Sequence, residues 1–125
     1  MARIYAKFDP EDFQAKIRFL PLEDGGRRPY PNGIRFDFKY ADDEKNLYMI
    51  YPDFFDSNGN SLSTEDMLPL GIWLIARMYI AVPEMKERVH RLKIKEGVKF
   101  YCMDGPHQIA EGVVSKIVGL YGISA

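Results

Sequence analysis

Alternation is the feature that most restricts this chain. Phe13, Ala15, Ile17 and Phe19 are separated by Gln14, Lys16 and Arg18, and Ile34 to Tyr40 alternates more strictly still. A period of two places every second side chain on one face, which is the signature of a half-buried strand and not of a helix. Leu47 to Tyr51 reads as a further short strand. Ile72, Leu74, Ala76, Met78 and Ile80 line one face of a long one, whose other face, with Trp73, Ile75 and Tyr79, predicts burial on both sides. Aromatic residues make up 14% of the sequence, with eight Tyr and eight Phe, and these favour strands.

Towards the carboxyl end, Val89 to Ile94 and Val98 to Met103 read as a hairpin. Gly97 can supply the left-handed residue that closes a three-residue loop, Lys95-Glu96-Gly97. That register pairs Ile94 with Val98, Leu92 with Phe100 and His90 with Cys102. The last strand is Ile109 to Val118, where Gly112 marks a bulge or a close backbone approach. Turn chemistry fills the gaps: Asp24-Gly25-Gly26, Pro31-Asn32-Gly33, Ser57-Asn58-Gly59-Asn60 and Asp104-Gly105-Pro106. Helix is scarce, with one capped turn expected over Ser63 to Met67. About six strands with little helix imply a sandwich or a closed barrel, and closure removes exposed edges. The common interior should hold Phe19, Phe36, Phe38, Leu74, Phe100 and Val113.

At 125 residues the chain is one domain, 1–125, able to fold without a metal or disulfide staple. Seventeen basic residues against eighteen acidic ones give a net charge of −1, so only a local patch could attract nucleic acid. The single Cys102 fits a reducing cytoplasm. The start Met1-Ala2-Arg3-Ile4-Tyr5 has no apolar signal core, and no run reaches the length of a membrane span.

The candidate chemistry is sparse. Gly25-Gly26-Arg27-Arg28 lacks the spaced glycines and Lys-Ser/Thr of a phosphate loop, so no nucleotide is expected. Asp53, Asp56, Asn58 and Asn60 hint at calcium, but Gly59 comes too early and a solvated turn is the plainer reading. Asp9, Glu11 and Asp12 read as a solvated lead-in to the first strand. Cys102 beside His90 could form a nucleophile–base pair, against which stands an ordinary buried thiol. No catalytic set, cofactor or metal site is predicted, and the chain is expected not to be an enzyme. The strongest remaining feature is basic: the hairpin register puts Arg91, Lys93, Lys99 and Tyr101 on one outer face. Lys93 and Lys99 would then repel unless an anion or a carboxylate lies between them.

Several motifs together resemble a known family. Phe13 to Leu20, then Gly25-Gly26-Arg27, then Gly33-Ile34-Arg35, look like the opening of the third, C-terminal domain of the elongation factor Tu family, with its Gly-Gly-Arg turn and Gly-Tyr-Arg strand start. Gly97-Val98-Lys99-Phe100 through Gly112-Val113-Val114-Ser115-Lys116 is similar, without a gap, to that family's Gly-Leu-Arg-Phe … Gly-Ala-Gly-Val-Val-Ala-Lys. Leu68-Pro69-Leu70-Gly71 resembles its Met-Pro-Gly-Asp turn, so the likeness extends over nearly the whole chain, in order.

The resemblance implies an all-β, closed, six-stranded antiparallel barrel of Greek-key type, standing alone. In the full factor that barrel helps hold the T stem of aminoacyl-tRNA and contacts the nucleotide exchange factor. Arg27 and Arg35 match family arginines and Lys99 a basic position. Met103 and His107 stand where the family has arginine, Gln108 replaces threonine, and Glu111 stands where alanine is usual. The segment Tyr51 to Met67 is longer than its counterpart and is a candidate place for a new function. The site residues that follow are Arg27, Arg35, Arg91, Lys93, Lys99 and His107. The expected function is a non-enzymatic binding module engaging a translation-related protein or, weakly, tRNA. The alternative is an interaction scaffold, such as a bacterial immunity or regulatory protein. Either would act as a monomer or weak oligomer, away from membranes.

Overall fold

A computed structural model describes residues 3–122. Six strands, β1 (Phe13–Phe19), β2 (Phe36–Tyr40), β3 (Tyr48–Phe54), β4 (Trp73–Ile80), β5 (Lys99–Asp104) and β6 (His107–Ile117), form a closed barrel in the order β1-β4-β3-β2-β5-β6. Every pairing is antiparallel, and β6 returns to β1. β2, β3 and β4 form a meander, while the long connection after β1 leaves that strand beside β4, which is Greek-key order. Among the described residues no helix is long and apolar enough to cross a membrane.

The alternating residues fill the interior. Phe13, Ala15, Ile17 and Phe19 from β1 meet Phe36, Phe38 and Tyr40 from β2, with Ile50, Phe54, Ala76, Met78, Phe100 and Cys102. Phe38 and Phe100 stack at 4.4 Å between ring centroids. Gly112 faces inward opposite Phe100, and a Cβ built there would lie 2.3 Å from that ring. The close approach here is made by a side-chain ring and not by the backbone that the sequence reading expected. Leu74 is half-buried against the core, but Val113 is not part of it. The alternation set by Gly112 turns Val113 outward and sends Val114 in.

The hairpin predicted over Val89–Ile94 and Val98–Met103 does not form. Residues 83–93 are helical instead: α1 (Pro83–Met85), a π turn over Lys86–His90, and α2 (Arg91–Lys93). His90 and Ile94 are buried while Leu92 is 73% exposed, so the apolar spacing is i, i+4 and not period two. Pro83 opens the helix at a position where its missing N–H costs nothing. Gly97 is left-handed at φ 89°, as predicted, but it ends a turn after this helix and leads into β5. The strand partners of β5 are β2 and β6. The helical turn expected over Ser63–Met67 is also absent: the Ser63 hydroxyl takes the Glu65 N–H, and Met67 bridges to Pro31.

β4 is covered on both faces only in its carboxyl half. Trp73 is 51% exposed, whereas Arg77 and Tyr79, on the same outer face, are buried. Arg77 Nη1 lies 3.0 Å from Asp53 Oδ2, both groups within 1% of complete burial. The Asp53 carboxylate also accepts the Ser61 hydroxyl (2.8 Å) and the Asn32 amide (3.1 Å). The same Asn32 amide reaches the Phe54 and Leu62 carbonyls, and its oxygen takes the Phe54 N–H. Phe55 covers the guanidinium at 4.1 Å, and Arg77 Nη2 donates to the Gly59 carbonyl. Asp53 is therefore no solvated ligand, while Asp56 forms the expected turn by accepting the N–H groups of Asn58 and Asn60.

Two predictions follow from this packing. Phe100→Ala should cost about 3–5 kcal/mol of unfolding free energy, and Gly112→Ala about 1–3 kcal/mol through overpacking, both read by denaturant melts. Arg77→Met should cost about 3–5 kcal/mol by stranding Asp53, whereas Arg77→Met combined with Asp53→Leu should recover part of that loss. Additive losses in the double variant would show that the pair is not coupled.

Candidate interaction surface

The six basic candidates divide between two ends of the barrel. β2 and β5 run antiparallel, Asp37 opposite Met103 and Tyr40 opposite Phe100. Arg35 therefore lies at the Asp104 end and Lys99 at the Tyr40 end, separated by roughly 20 Å of strand.

At the first end, Arg28 and Arg35 border a hollow of about 170 Å³ with Asp37 and Asp104. Arg28 lies 4.8 Å from the Tyr30 ring, and Arg35 is 3.8 Å from Asp37. The Tyr30 hydroxyl donates to Asp104 at 2.6 Å. Burial and that carboxylate raise its pKa, with Arg28 and Arg27 opposing. Arg27 itself is exposed, as is His107, which faces Asp104 across the β5–β6 turn. Gly26 holds the arginine loop tight, since a Cβ there would stand 1.8 Å from the Leu20 carbonyl oxygen.

At the other end, Lys93 and Lys99 border one hollow of about 280 Å³ with Tyr40 and Asp42. They are neighbours through the helix, not through the predicted hairpin. Lys93 bonds the Asp42 carboxylate at 2.8 Å and sits 4.3 Å over the Tyr40 ring. Asp42 is thus the carboxylate that relieves the pair of lysines. Arg91, two residues before Lys93 on α2, does not join them, because its guanidinium donates to the carbonyls of Leu120 and Gly122. Tyr101 remains on β5, so the shared face predicted for Arg91, Lys93, Lys99 and Tyr101 is absent.

The predicted Cys102–His90 pair is also replaced. The Cys102 thiol is buried and its pKa is pushed up to about 12 by that burial. His90 Nδ1 instead meets the Tyr40 hydroxyl at 2.6 Å, with Tyr48 edge-on at 4.8 Å. Burial pushes His90 down to about 4, so its ring is neutral at pH 7 and the phenol donates to it.

A third surface was not legible as a site. Of the expected solvated lead-in only Asp9 is exposed; Glu11 and Asp12 are buried. Asp12 takes the Ile80 N–H at 2.7 Å and the Lys86 ammonium at 2.6 Å. Asp9 accepts the Tyr79 hydroxyl at 2.6 Å and pairs with Arg3 at 3.0 Å. These ties fasten the amino-terminal turn against β3 and β4. They enclose a hollow of about 460 Å³ walled by Tyr5, Phe8, Tyr51 and Tyr79. Tyr5 stands edge-on to Tyr51 at 5.5 Å and to Tyr79 at 5.4 Å. Its pKa is raised to about 12, first by burial and then by the negative charge of Asp53. No local motif marks it, since Tyr5, Tyr51 and Tyr79 are scattered along the sequence and meet only through the barrel.

His90 makes the folded protein acid-sensitive. The unfolded chain takes up a proton below its ordinary pKa of 6.5, whereas the folded state resists until about 4. Stability from this group is therefore complete above pH 6.5 and is lost as pH falls towards 4, with a slope of up to roughly 1.4 kcal/mol per pH unit. Urea melts across that window should show the slope in the native sequence and its loss in His90→Gln; an unchanged slope in the variant would assign the effect elsewhere. No protein-family model matches the chain, and no curated protein matches it.

Proposed function

We propose that the chain is a non-catalytic binding barrel whose principal partner is a protein, with tRNA at most a weak ligand. The arrangement of charge carries this reading. Arg35, Arg91 and Lys93 each face a carboxylate, at 3.8, 3.7 and 2.8 Å. Arg18, on the barrel wall, is spent on Asp24 and Glu111. Arg27, Lys99 and His107 are exposed but divided between the two ends, so the candidate cations do not form one continuous track along a phosphate backbone. The aromatic hollow offers what a protein interface needs, an apolar recess with a polar rim. The barrel and the resemblance to the third domain of the elongation factor Tu family are compatible with a translation-related partner. A scaffold of the immunity or regulatory kind would use the same surface.

The test is capture from lysate with and without ribonuclease, beside a titration of aminoacylated and bare tRNA at two salt concentrations. A protein should be retained after ribonuclease, and its identity separates the translation reading from the scaffold reading. Binding of tRNA should fall in about the 10⁻⁴–10⁻⁶ M range, ignore aminoacylation and weaken steeply with salt. Tight, salt-resistant binding that prefers aminoacylated tRNA and falls in Arg27→Ala/Arg35→Ala would overturn the proposal.

A further inference from the structure

We infer that Asn58, in the turn after β3, is a site of spontaneous covalent modification that converts to isoaspartate as the protein ages. The motif is Asn-Gly, and the chain holds it twice, at Asn32-Gly33 and at Asn58-Gly59. In this pair the second residue has no Cβ, so its backbone nitrogen can reach the asparagine side chain unhindered. Asn46 and Asn60 precede Leu47 and Ser61, whose side chains crowd that approach. The fold then separates the two Asn-Gly pairs. Asn32 is 2% exposed, its Nδ2 donates to Asp53 and to the Phe54 and Leu62 carbonyls, and its Oδ1 takes the Phe54 N–H. The amide that would have to leave is fixed there, and it is shut away from water. Asn58 is exposed, and its side-chain amide makes no hydrogen bond among the described residues. Its backbone N–H is held by Asp56 Oδ1 at 2.9 Å.

The reaction needs no co-reactant but water. The Gly59 nitrogen attacks Asn58 Cγ, and the N–Cγ bond forms as the Cγ–Nδ2 bond breaks. The side-chain nitrogen departs as ammonia, which takes the proton that the Gly59 nitrogen gives up. Water then opens the cyclic imide at either carbonyl. Opening at the side-chain carbonyl leaves aspartate, and opening at the main-chain carbonyl leaves isoaspartate, with the chain routed through the side-chain carbon. For the attack, the Gly59 N–H must first release the Asp56 carbonyl, to which it donates at 2.9 Å. Opening an exposed turn costs little, whereas freeing Asn32 requires a buried network to come apart. The product matters because of what lies beside it. The Gly59 carbonyl accepts from Arg77 Nη2, and Arg77 Nε already lacks a partner. Isoaspartate adds one carbon to the main chain just before that carbonyl and displaces it, which loosens the cover over the Arg77–Asp53 pair.

The test is ageing of the purified whole chain at mildly alkaline pH, followed by peptide mapping with fragmentation mass spectrometry. Asn58 should show the mass gain of –NH₂ exchanged for –OH at least about tenfold faster than Asn32 does. The product should be mostly isoaspartate and should form more slowly at mildly acidic pH, where the Gly59 nitrogen keeps its proton. Asn58→Gln, whose longer side chain closes the ring less readily, should remove the gain at an unchanged melting temperature. The isoaspartate-rich fraction should unfold at lower urea than fresh protein. Asn58→Asp adds the charge but keeps the main chain, and should unfold with fresh protein. No gain at Asn58, an equal rate at Asn32, or gain at Asn60 alone would overturn the inference. So would an aged fraction as stable as fresh protein, or an Asn58→Asp variant as unstable as the aged fraction.

Discussion

The Arg77–Asp53 pair governs how the rest of the chain lies on the barrel. It sits on the outer face of β4 and β3, where a charged pair would ordinarily be left to water. Burying it is favourable only if the remaining donors and acceptors are met. Asn32, Ser61, the Gly59 carbonyl and the Phe55 ring meet most of them; Arg77 Nε is left without a partner. To do so, the loop before β2 and the segment after β3 must fold down over the pair. The Ser61 hydroxyl then accepts the Ile4 N–H, drawing the amino-terminal turn to the same place.

The aromatic hollow is a consequence of that arrangement. Tyr5 is brought beside Asp53 and Tyr51, and Tyr79 is closed from solvent by the turn that carries Asp9. The segment Tyr51 to Met67 therefore acts first as a cover for a buried charge. Its first residue, Tyr51, also supplies the rim of the hollow. The recess is thus built on a fixed wall of paired strands with a turn held down by ion pairs.

The opposite sides of the molecule are organised by neutralisation. Carboxylates stand beside Arg35, Arg91 and Lys93 of the basic candidates, and beside Arg18 on the barrel wall. Such pairs contribute little to stability at the surface. They do lower the positive field that draws nucleic acid from a distance. A near-neutral sequence could have hidden one strongly basic face; here the candidate cations are divided between the two ends of the barrel.

How much was legible follows from what each signal measures. Period-two alternation depends on burial of one face of a strand, so β1, β2 and the long apolar β4 could be read directly, as could the left-handed Gly97 and the close approach at Gly112. Residues 89–94 misled because His90 and Ile94, four apart, satisfy both a strand and a helix; Pro83 was the local cue for helix, and burial against the barrel end decided it. The sequence by itself determined an all-β chain with aromatic strand interiors and turns at its glycines, because those follow from local geometry and side-chain size. Only the tertiary structure decided that Arg77 is buried with Asp53, that His90 pairs with Tyr40, and that Tyr5, Tyr51 and Tyr79 enclose one recess. Those contacts join residues many positions apart, and the closure of the barrel is what brings them together.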